Sequence, residues 1–469
     1  MSENDNQVPN ALVRVGDRTL AVRSATLVKR GLALAESLQP GDADAHYLLG
    51  LALYGKGDLD GAIAEYRTAL RLQPDDAWAH TFLGNALYDK GDLDGAVAEY
   101  HTALRLQPDH VWAHYNLGRA LDDKGDLDGA IVEYRTAIRL QPDHAWAHND
   151  LGIALKDKGD LDGAIVEYRT AIRLQPDDAP AHKLLGLALR ETGDLDGAIA
   201  EFRTAIRLQS DDAEAHNGLG NALYWKCDPD GAIAEYRTAI RLHPGDAAAH
   251  LDLGLALGDK GDLDEAIAEY RTAIRLQPDY ADAHHTLGLA LKGKGDLDGA
   301  IAEYRTAIHL QPSNPLTHHT LGIALEEKAD LDGAIAEYRT AIRLRPYNVS
   351  SLPHCNLGLA LMENGDLNGA IAEFRTAIRL QPDDADAHNN LGNALAEKGD
   401  LDGAVAEWRT AIRLQPDLAL AHANLGLALE MKGDHLAASD EIEKAREVDP
   451  NDSSIAEAYE RIRRKAGSK

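Results

Sequence analysis

Apolar and polar positions alternate in blocks along the chain, and the order of the blocks returns every 34 residues. Twelve full units of 34 residues can be placed, the first at 43–76 and the last at 419–452. Two inserted residues, Val349 and Ser350, interrupt the register. Self-similarity at this period is the sequence signature of a repeat architecture.

The pattern within one unit predicts two helices. In the first unit, apolar positions follow helical spacing over about 43–56 and again over about 59–72. Gly57 and Asp58 separate the two stretches, and Asp58 is suited to cap the second helix. Pro74 ends that helix. We name the two helices A and B, and number the positions of each unit from 1 to 34.

A glycine recurs inside helix A of every unit, from Gly50 to Gly426. A mid-helix glycine costs about 1 kcal/mol relative to alanine, so its recurrence indicates a close approach by a neighbouring helix. One helix pair cannot bury its apolar face, whereas stacked pairs can. The sequence therefore predicts an all-α fold, an α-solenoid of stacked antiparallel helix pairs over 43–452.

The two ends are predicted to be short accessory segments. Residues 1–42 are predicted to contain a degenerate half-repeat, with a helix over 19–38. Residues 453–469 are predicted to form a polar capping helix and a tail.

Several motifs carry a family resemblance. Leu-Gly in helix A, Ala-x3-Tyr-x2-Ala in helix B and proline at the unit's end resemble the tetratricopeptide repeat. The form Ala-x-Ala-His-x-Asn-Leu-Gly resembles the repeat arm of O-linked N-acetylglucosamine transferases. The resemblance implies a right-handed superhelix whose concave groove, lined by helix A, binds peptide segments or partner proteins. One departure is regular, because histidine replaces the usual early aromatic residue of helix A in all twelve units.

Variable positions of helix A supply the candidate binding residues. Position 2 is Trp78, Trp112 and Trp146 in three successive units, and exposed aromatic residues in a cleft are typical binding anchors. The alternative is that these rings pack between repeats. The candidates in the first three units and at the start of the fourth are Tyr47, Tyr54, Trp78, Phe82, Asn85, Tyr88, Trp112, Tyr115, Asn116 and Trp146.

Asparagines supply a second candidate sub-site in the last three units. Asn356, Asn390 and Asn424 occupy position 6, and Asn393 occupies position 9. An amide both donates to and accepts from a peptide backbone, and the row resembles the asparagine ladder of the transferase arm. The alternative is that asparagine is simply common at these positions. A carboxylate clamp of the chaperone-binding type is not predicted, because Lys183 is the only basic residue at position 5.

Charge narrows the class of partner. The chain carries 48 basic and 77 acidic residues, a net charge of −29. Direct binding to nucleic acid or to an anionic membrane is therefore not predicted, whereas basic partner segments are favoured. Position 13 is acidic in eight units, and the alternative there is a merely solvated helix end. The eight residues are Asp89, Asp123, Asp157, Glu191, Asp259, Glu327, Glu363 and Glu397.

Candidate catalytic and metal sites are weak. Phosphate-loop, HExxH and CxxC motifs are not found, and Asp58–Gly61 resembles only part of a calcium loop. Each repeated histidine is interpreted as a packing residue, although His285 and His319 could form a stacked pair facing the groove. We predict no cofactor, no metal and no enzymatic activity.

Cysteine content and hydropathy suggest a compartment. Cys227 and Cys355 cannot form a disulfide framework, and no apolar stretch is long enough to cross a membrane. These features, with the polar N-terminus, predict a cytoplasmic protein. Cys227 and the insertion mark two weak points, and we hypothesise a hinge at 225–230 or 346–353.

The main functional prediction is a non-enzymatic protein–protein interaction scaffold. One alternative is self-assembly into a homo-oligomer or fibre, in which a basic cap containing Arg461, Arg463, Arg464 and Lys465 meets an acidic repeat surface. Another alternative is a targeting subunit for a separately encoded enzyme.

Overall fold

The computed structural model describes residues 11–15, 18–22, 42–344 and 351–466. The chain divides into two compact bodies, Met1–Leu242 and His243–Lys469. Within each body, every helix A packs antiparallel against the helix B that follows it. The described helices confirm the predicted all-α fold of stacked helix pairs.

Among its described residues the first body contains six helix pairs, with helix A carrying odd numbers and helix B even numbers. Its helices are α1 (Ala43–Tyr54), α2 (Leu59–Leu72), α3 (Ala77–Asp89), α4 (Leu93–Leu106), α5 (Val111–Asp123), α6 (Leu127–Leu140), α7 (Ala145–Asp157), α8 (Leu161–Leu174), α9 (Ala179–Glu191), α10 (Leu195–Leu208), α11 (Ala213–Trp225) and α12 (Pro229–Leu242).

Over 243–344 and 351–466, the described part of the second body, six further pairs and a final single helix follow. Its helices are α13 (Ala247–Lys260), α14 (Leu263–Leu276), α15 (Ala281–Gly293), α16 (Leu297–Leu310), α17 (Pro315–Glu327), α18 (Leu331–Leu344), α19 (Leu352–Glu363), α20 (Leu367–Leu380), α21 (Ala385–Glu397), α22 (Leu401–Leu414), α23 (Ala419–Met431), α24 (His435–Val448) and α25 (Ser453–Ala466).

Helix boundaries follow the predicted capping. The Asp58 carboxylate accepts a hydrogen bond from the Gly61 N–H at 3.0 Å, as an N-cap does. Helix α2 spans the predicted residues, whereas α1 ends at Tyr54, two residues early. Gly57 follows with a φ of 80°, a left-handed conformation that glycine adopts without steric cost.

The N-terminal segment differs from its prediction. Strands β1 (Ala11–Val15) and β2 (Arg18–Val22) form an antiparallel hairpin. The helix predicted over 19–38 is therefore wrong at its start, because those residues pair as a strand. Its remainder, like the insertion at 349–350, lies outside the described residues.

Glycine and alanine let the helices approach closely, as predicted. A Cβ atom placed on Gly50 would lie 2.6 Å from Cε1 of Tyr66, whose ring is fully buried. Gly84 and Tyr100 repeat the contact in the next unit, at 2.5 Å. Because real Cβ contacts are never this short, glycine is required where helix A crosses the helix B aromatic ring.

Consecutive units are also joined by exposed ion pairs. The lysine at position 14 contacts the aspartate at position 18 of the preceding unit, as Lys90 contacts Asp60. Exposed pairs of this kind contribute about 0–1 kcal/mol each. Further pairs of this series are Lys124–Asp94, Lys158–Asp128, Lys226–Asp196, Lys294–Asp264, Lys328–Asp298 and Lys432–Asp402.

The turn at Cys227 replaces the usual left-handed glycine. Cys227 adopts a φ of 62°, and Pro229 begins the next helix. A left-handed conformation costs a non-glycine residue about 1–2 kcal/mol. Both cysteines are free thiols, Cys227 exposed and Cys355 buried. The hinge at this turn stays a prediction, and residues 346–350 of the second proposed hinge lie outside the described residues.

Candidate functional site

The repeated histidines link the two helices of each unit. In all twelve units, Nδ1 at position 4 lies 2.5–2.6 Å from a glutamate Oε2 at position 23. The pairs are His46–Glu65, His80–Glu99, His114–Glu133, His148–Glu167, His182–Glu201, His216–Glu235, His250–Glu269, His284–Glu303, His318–Glu337, His354–Glu373, His388–Glu407 and His422–Glu441.

The other ring nitrogen reaches the preceding unit. His80 and His114 donate from Nε2 to the carbonyls of Pro74 and Pro108, each at 3.0 Å. A carboxylate and a carbonyl can only accept, so both bonds require a doubly protonated ring. Burial opposes this charge on His80 and His114, but their bonds to Glu99 and Glu133 and to the proline carbonyls raise the pKa of both imidazoles.

The histidines thus have a structural role, as their interpretation as packing residues predicted. His285 and His319, considered above as a stacked pair, are each buried against a tyrosine of helix B, Tyr304 and Tyr338 respectively. In the part of the chain that the structure describes, no three His, Cys, Asp or Glu side chains could jointly hold a metal ion.

The three tryptophans form a half-buried row on helix A of units 2, 3 and 4. The rings of Trp112 and Trp146 lie 6.0 Å apart, and Trp78 stacks on Phe82 at 6.3 Å. Histidine rings fill the space between successive units, with His110 4.3 Å from Trp78. The row therefore packs between repeats and remains partly accessible to solvent.

His110 and His144 are also helix caps. Their Nδ1 atoms accept the N–H groups of Ala113 and Ala147, at 3.4 and 3.1 Å. Burial lowers the pKa of His110 to about 4 and lowers that of His144. Since a protonated Nδ1 could not accept, both caps require a neutral ring. The aromatic row is therefore uncharged at neutral pH.

Tyrosine–aspartate bonds connect the other end of these helices. Tyr54 and Tyr88 donate to Asp89 and Asp123 of the following unit. Burial and the bond to Asp123 together raise the pKa of Tyr88 to about 12, and the Arg119 guanidinium lies 4.9 Å from its ring centroid.

A half-buried carboxylate lies in the fourth unit. Tyr115 donates to Asp150 at 2.8 Å. Burial raises the pKa of Asp150 to about 6, although the hydrogen bond from Tyr115 and the charge of Arg119 act against the rise.

The bonds from Tyr54 and Tyr88 described above involve two of the eight position-13 acids. Asp89 and Asp123 are therefore hydrogen-bonded as well as exposed.

The asparagines pair with each other between units. Asn85 Oδ1 accepts from Asn116 Nδ2 at 2.9 Å and from the Tyr100 hydroxyl at 2.8 Å. Asn393 repeats this arrangement with Asn424, at 2.9 Å, and with the Trp408 indole N–H, at 3.1 Å.

The other two candidate asparagines differ from these pairs. Asn356 donates to Nε2 of His319 at 3.0 Å. Asn390 is half-buried.

Family models match most of the chain. The model described as TPR repeat matches residues 52–89, 84–122, 118–159, 154–191, 186–226, 256–295, 293–329, 358–399 and 392–433. Models described as tetratricopeptide repeat match residues 213–246 and 317–348. The chain belongs to the tetratricopeptide-repeat (TPR) family.

Solved structures similar to this TPR protein include one described as the APC/C hetero-tetramer Cut9–Hcn1. Its chain is 15% identical, with 94% of this chain and 99% of that chain covered and a TM-score of 0.45. MamA is 30% identical, with 34% and 95% covered and a TM-score of 0.33. YrrB, described as a TPR protein with an unusual peptide-binding site, is 24% identical, with 40% and 96% covered and a TM-score of 0.35. No curated protein matches the chain.

The structure brings the candidate residues of this TPR protein into separate groups. The tryptophan row lies half-buried, whereas Tyr47, Phe82 and Tyr115 are buried between helices. Their roles in binding a partner stay predictions. Every helix in the described part of the chain is too short or too polar to span a bilayer.

Sequence reasoning missed two kinds of residue in this TPR protein. It did not assign the glutamate at position 23, although this residue recurs in every unit 19 positions after the histidine. It also missed His110 and His144, which replace the usual aspartate cap only where tryptophans follow.

At the C-terminal cap, Arg461 donates to Glu430 at 3.0 Å and Arg463 donates to the Tyr459 hydroxyl. Two arginines of the predicted basic cap are therefore already engaged within the TPR protein itself.

Proposed function

We propose that this TPR protein is a non-enzymatic interaction scaffold that binds extended basic segments of partner proteins along helix A. The tryptophan row of Trp78, Trp112 and Trp146 is its main sub-site. The observation that carries the proposal is the partial exposure of these three rings. The aromatic rings of helix B, such as Tyr66 and Tyr100, are by contrast fully buried.

Charge supports a basic partner. Helices α3 and α5 begin beside a tryptophan and end at exposed carboxylates, Asp89 and Asp123. The face of an indole ring attracts a cation, by about 0.5–1 kcal/mol at exposed sites. A lysine or arginine of an extended segment can therefore contact a ring while its neighbours face the carboxylates. Uncharged His110 and His144 do not repel it.

The paired asparagines support a second sub-site in the last units. Each amide in the Asn393–Asn424 pair is held in a fixed orientation by its bonds, which favours recognition of a peptide backbone. This arrangement and the Ala-x-Ala-His motif support a sub-type similar to the transferase arm. We also propose a cytoplasmic location, supported by the two free thiols.

Substitution of the tryptophans tests the proposal. We expect the triple variant W78A/W112A/W146A to bind a lysine- and arginine-rich peptide at least about ten-fold more weakly, because buried aromatic anchors dominate such interfaces. Affinity is measured by isothermal titration calorimetry, and folding by circular dichroism.

The control is V132A/V166A. These valines are 59% exposed on helix B, and alanine occupies their position in most other units. Unchanged peptide affinity in the tryptophan variant, together with a large loss of stability, would assign the row to packing alone.

A further inference from the structure

In three places a side chain at position 12 of one unit contacts an acid at position 13 of the next. Tyr54 donates to Asp89, and Tyr88 donates to Asp123. In the second body, Lys292 Nζ lies 2.7 Å from a carboxylate oxygen of Glu327. In each case a donor at position 12 meets an acid at position 13, and we name such a contact a rung.

Between the fifth and sixth units the donor is present and the acid is absent. Arg190 supplies the donor at position 12, but position 13 of the next unit is Trp225 instead of an acid. The tryptophan ring is 68% exposed. Across the part of the chain that the structure describes, no carboxylate lies within ion-pairing distance of the half-buried Arg190 guanidinium. The rung therefore has a donor and lacks its acceptor.

A cavity lies where the missing acid would be. It measures about 490 Å³ and is lined by Arg190, Gly193, Leu195, Asn221 and Trp225. One side is a cation with five N–H donors in a fixed fork, and the other sides are an aliphatic chain and an indole ring. The Tyr236 hydroxyl donates a hydrogen bond to Oδ1 of Asn221 at 2.8 Å and so fixes the orientation of that amide.

We propose that this cavity binds a carboxylate of a partner segment together with an adjacent apolar side chain. The partner's carboxylate takes the place of the absent position-13 acid and accepts two N–H bonds from Arg190, a geometry that guanidinium favours over ammonium. The apolar neighbour packs on Trp225 and Leu195. The site is separate from the tryptophan row, so its failure would leave the proposed function untouched.

Electrostatics make the apolar contact necessary. The net charge of −29 and the exposed Glu191 next to Arg190 repel free anions. A carboxylate alone is therefore expected to bind weakly. A carboxylate beside a large apolar side chain is expected to bind more tightly, because that side chain buries apolar surface against the indole ring of Trp225. Two sources fit this chemistry, an aspartate or glutamate side chain and a free chain terminus.

Three peptides, which differ in their carboxylate groups, test the site on the full chain. The first is a heptapeptide with blocked ends and one glutamate between leucines, the second carries glutamine instead, and the third has glutamine and a free C-terminal carboxylate. We expect the first or the third peptide, which carry a carboxylate, to bind. We expect the second peptide, which has blocked ends and no carboxylate, to bind at least ten-fold more weakly. The first and third peptides distinguish the two sources. Tryptophan fluorescence and calorimetry report binding.

Three variants locate the site. R190Q is expected to lose at least ten-fold in affinity, and R190K to recover only part of it, because lysine lacks the fork. W225D restores the acid of the rung and is expected to abolish binding by pairing with Arg190 itself. Equal affinity for the blocked glutamate and glutamine peptides and for the free terminus would overturn the proposal. Wild-type affinity in R190Q or W225D would overturn it equally.

Discussion

At the scale of single residues, one histidine performs two tasks in each unit. Its ring fills the place of a packing aromatic, and its Nδ1 connects helix A to helix B. In most units, as in His114, Nε2 also connects to the preceding unit. The sequence predicted the packing role, because the residue recurs at a helical core position. The hydrogen bonds could not be predicted in the same way, because they depend on the axial offset between the packed helices A and B.

Replacing His114 by alanine should make stability depend less on pH. The pKa of His114 is raised in the folded state, so its contribution is fully present below about pH 6.5, the unfolded value, and is lost as pH rises through the folded value. A charged hydrogen bond contributes about 1.5–3 kcal/mol. We expect H114A to lower the thermal midpoint more at pH 6 than at pH 9.

The matched control is H101A, since His101 is exposed on helix B. This variant should leave the midpoint unchanged at both pH values. A loss in H114A that is equal at pH 6 and pH 9 would contradict a charged role and leave only packing.

At the scale of the helices, their order, their number and most of their caps follow from the repeated pattern. The aspartate caps were predictable because Asp58 and its equivalents directly precede an apolar helix. The caps of α5 and α7 were not, because histidine accepts an N–H only when neutral. That condition comes from burial beneath Trp78 and Trp112, which are distant in sequence.

These two caps should make the protein sensitive to acid. Burial lowers the pKa of His110 to about 4 and that of His144 in the same direction. Their stabilising contribution is therefore fully present above about pH 6.5 and is lost as pH falls toward 4. Asn314 caps another helix A in this chain without titrating. We expect H110N/H144N to lose less thermal stability between pH 7 and pH 5 than the wild type.

The control is the comparison of the two proteins at pH 7 and above. Neutral histidine caps and asparagine caps should contribute similarly there, so the thermal midpoints of the wild type and the double variant should be similar. A cap contributes about 1 kcal/mol, so a change of a few degrees is expected. An identical acid-induced loss in both proteins would show that the capping histidines do not control it.

At the scale of the whole molecule, the array was predictable and its N-terminal extension was not. Twelve copies of one pattern reinforce each other, whereas residues 11–22 occur once. Their alternation of β-branched residues around Gly16 and Asp17 is a hairpin signal that helical reasoning overlooked. The candidate site was predictable as a set of variable positions, but the burial of each residue was not. Trp78 and Phe82 lie four positions apart on the same face of α3 and stack on each other, yet Trp78 is half-buried and Phe82 is buried.

The net charge of −29 should act on the rate of partner association. Charge of one sign attracts an oppositely charged partner over roughly a Debye length, about 10 Å at 0.1 M salt. For a peptide of four positive charges, we expect the association rate to fall at least about ten-fold between 20 mM and 500 mM salt, with a smaller change in dissociation. Stopped-flow tryptophan fluorescence measures both rates.

In D89N/D123N/D157N the salt dependence of the association rate should be shallower, since these carboxylates end the helices that carry the tryptophan row. A rate independent of salt would instead mean that aromatic contacts alone select the partner.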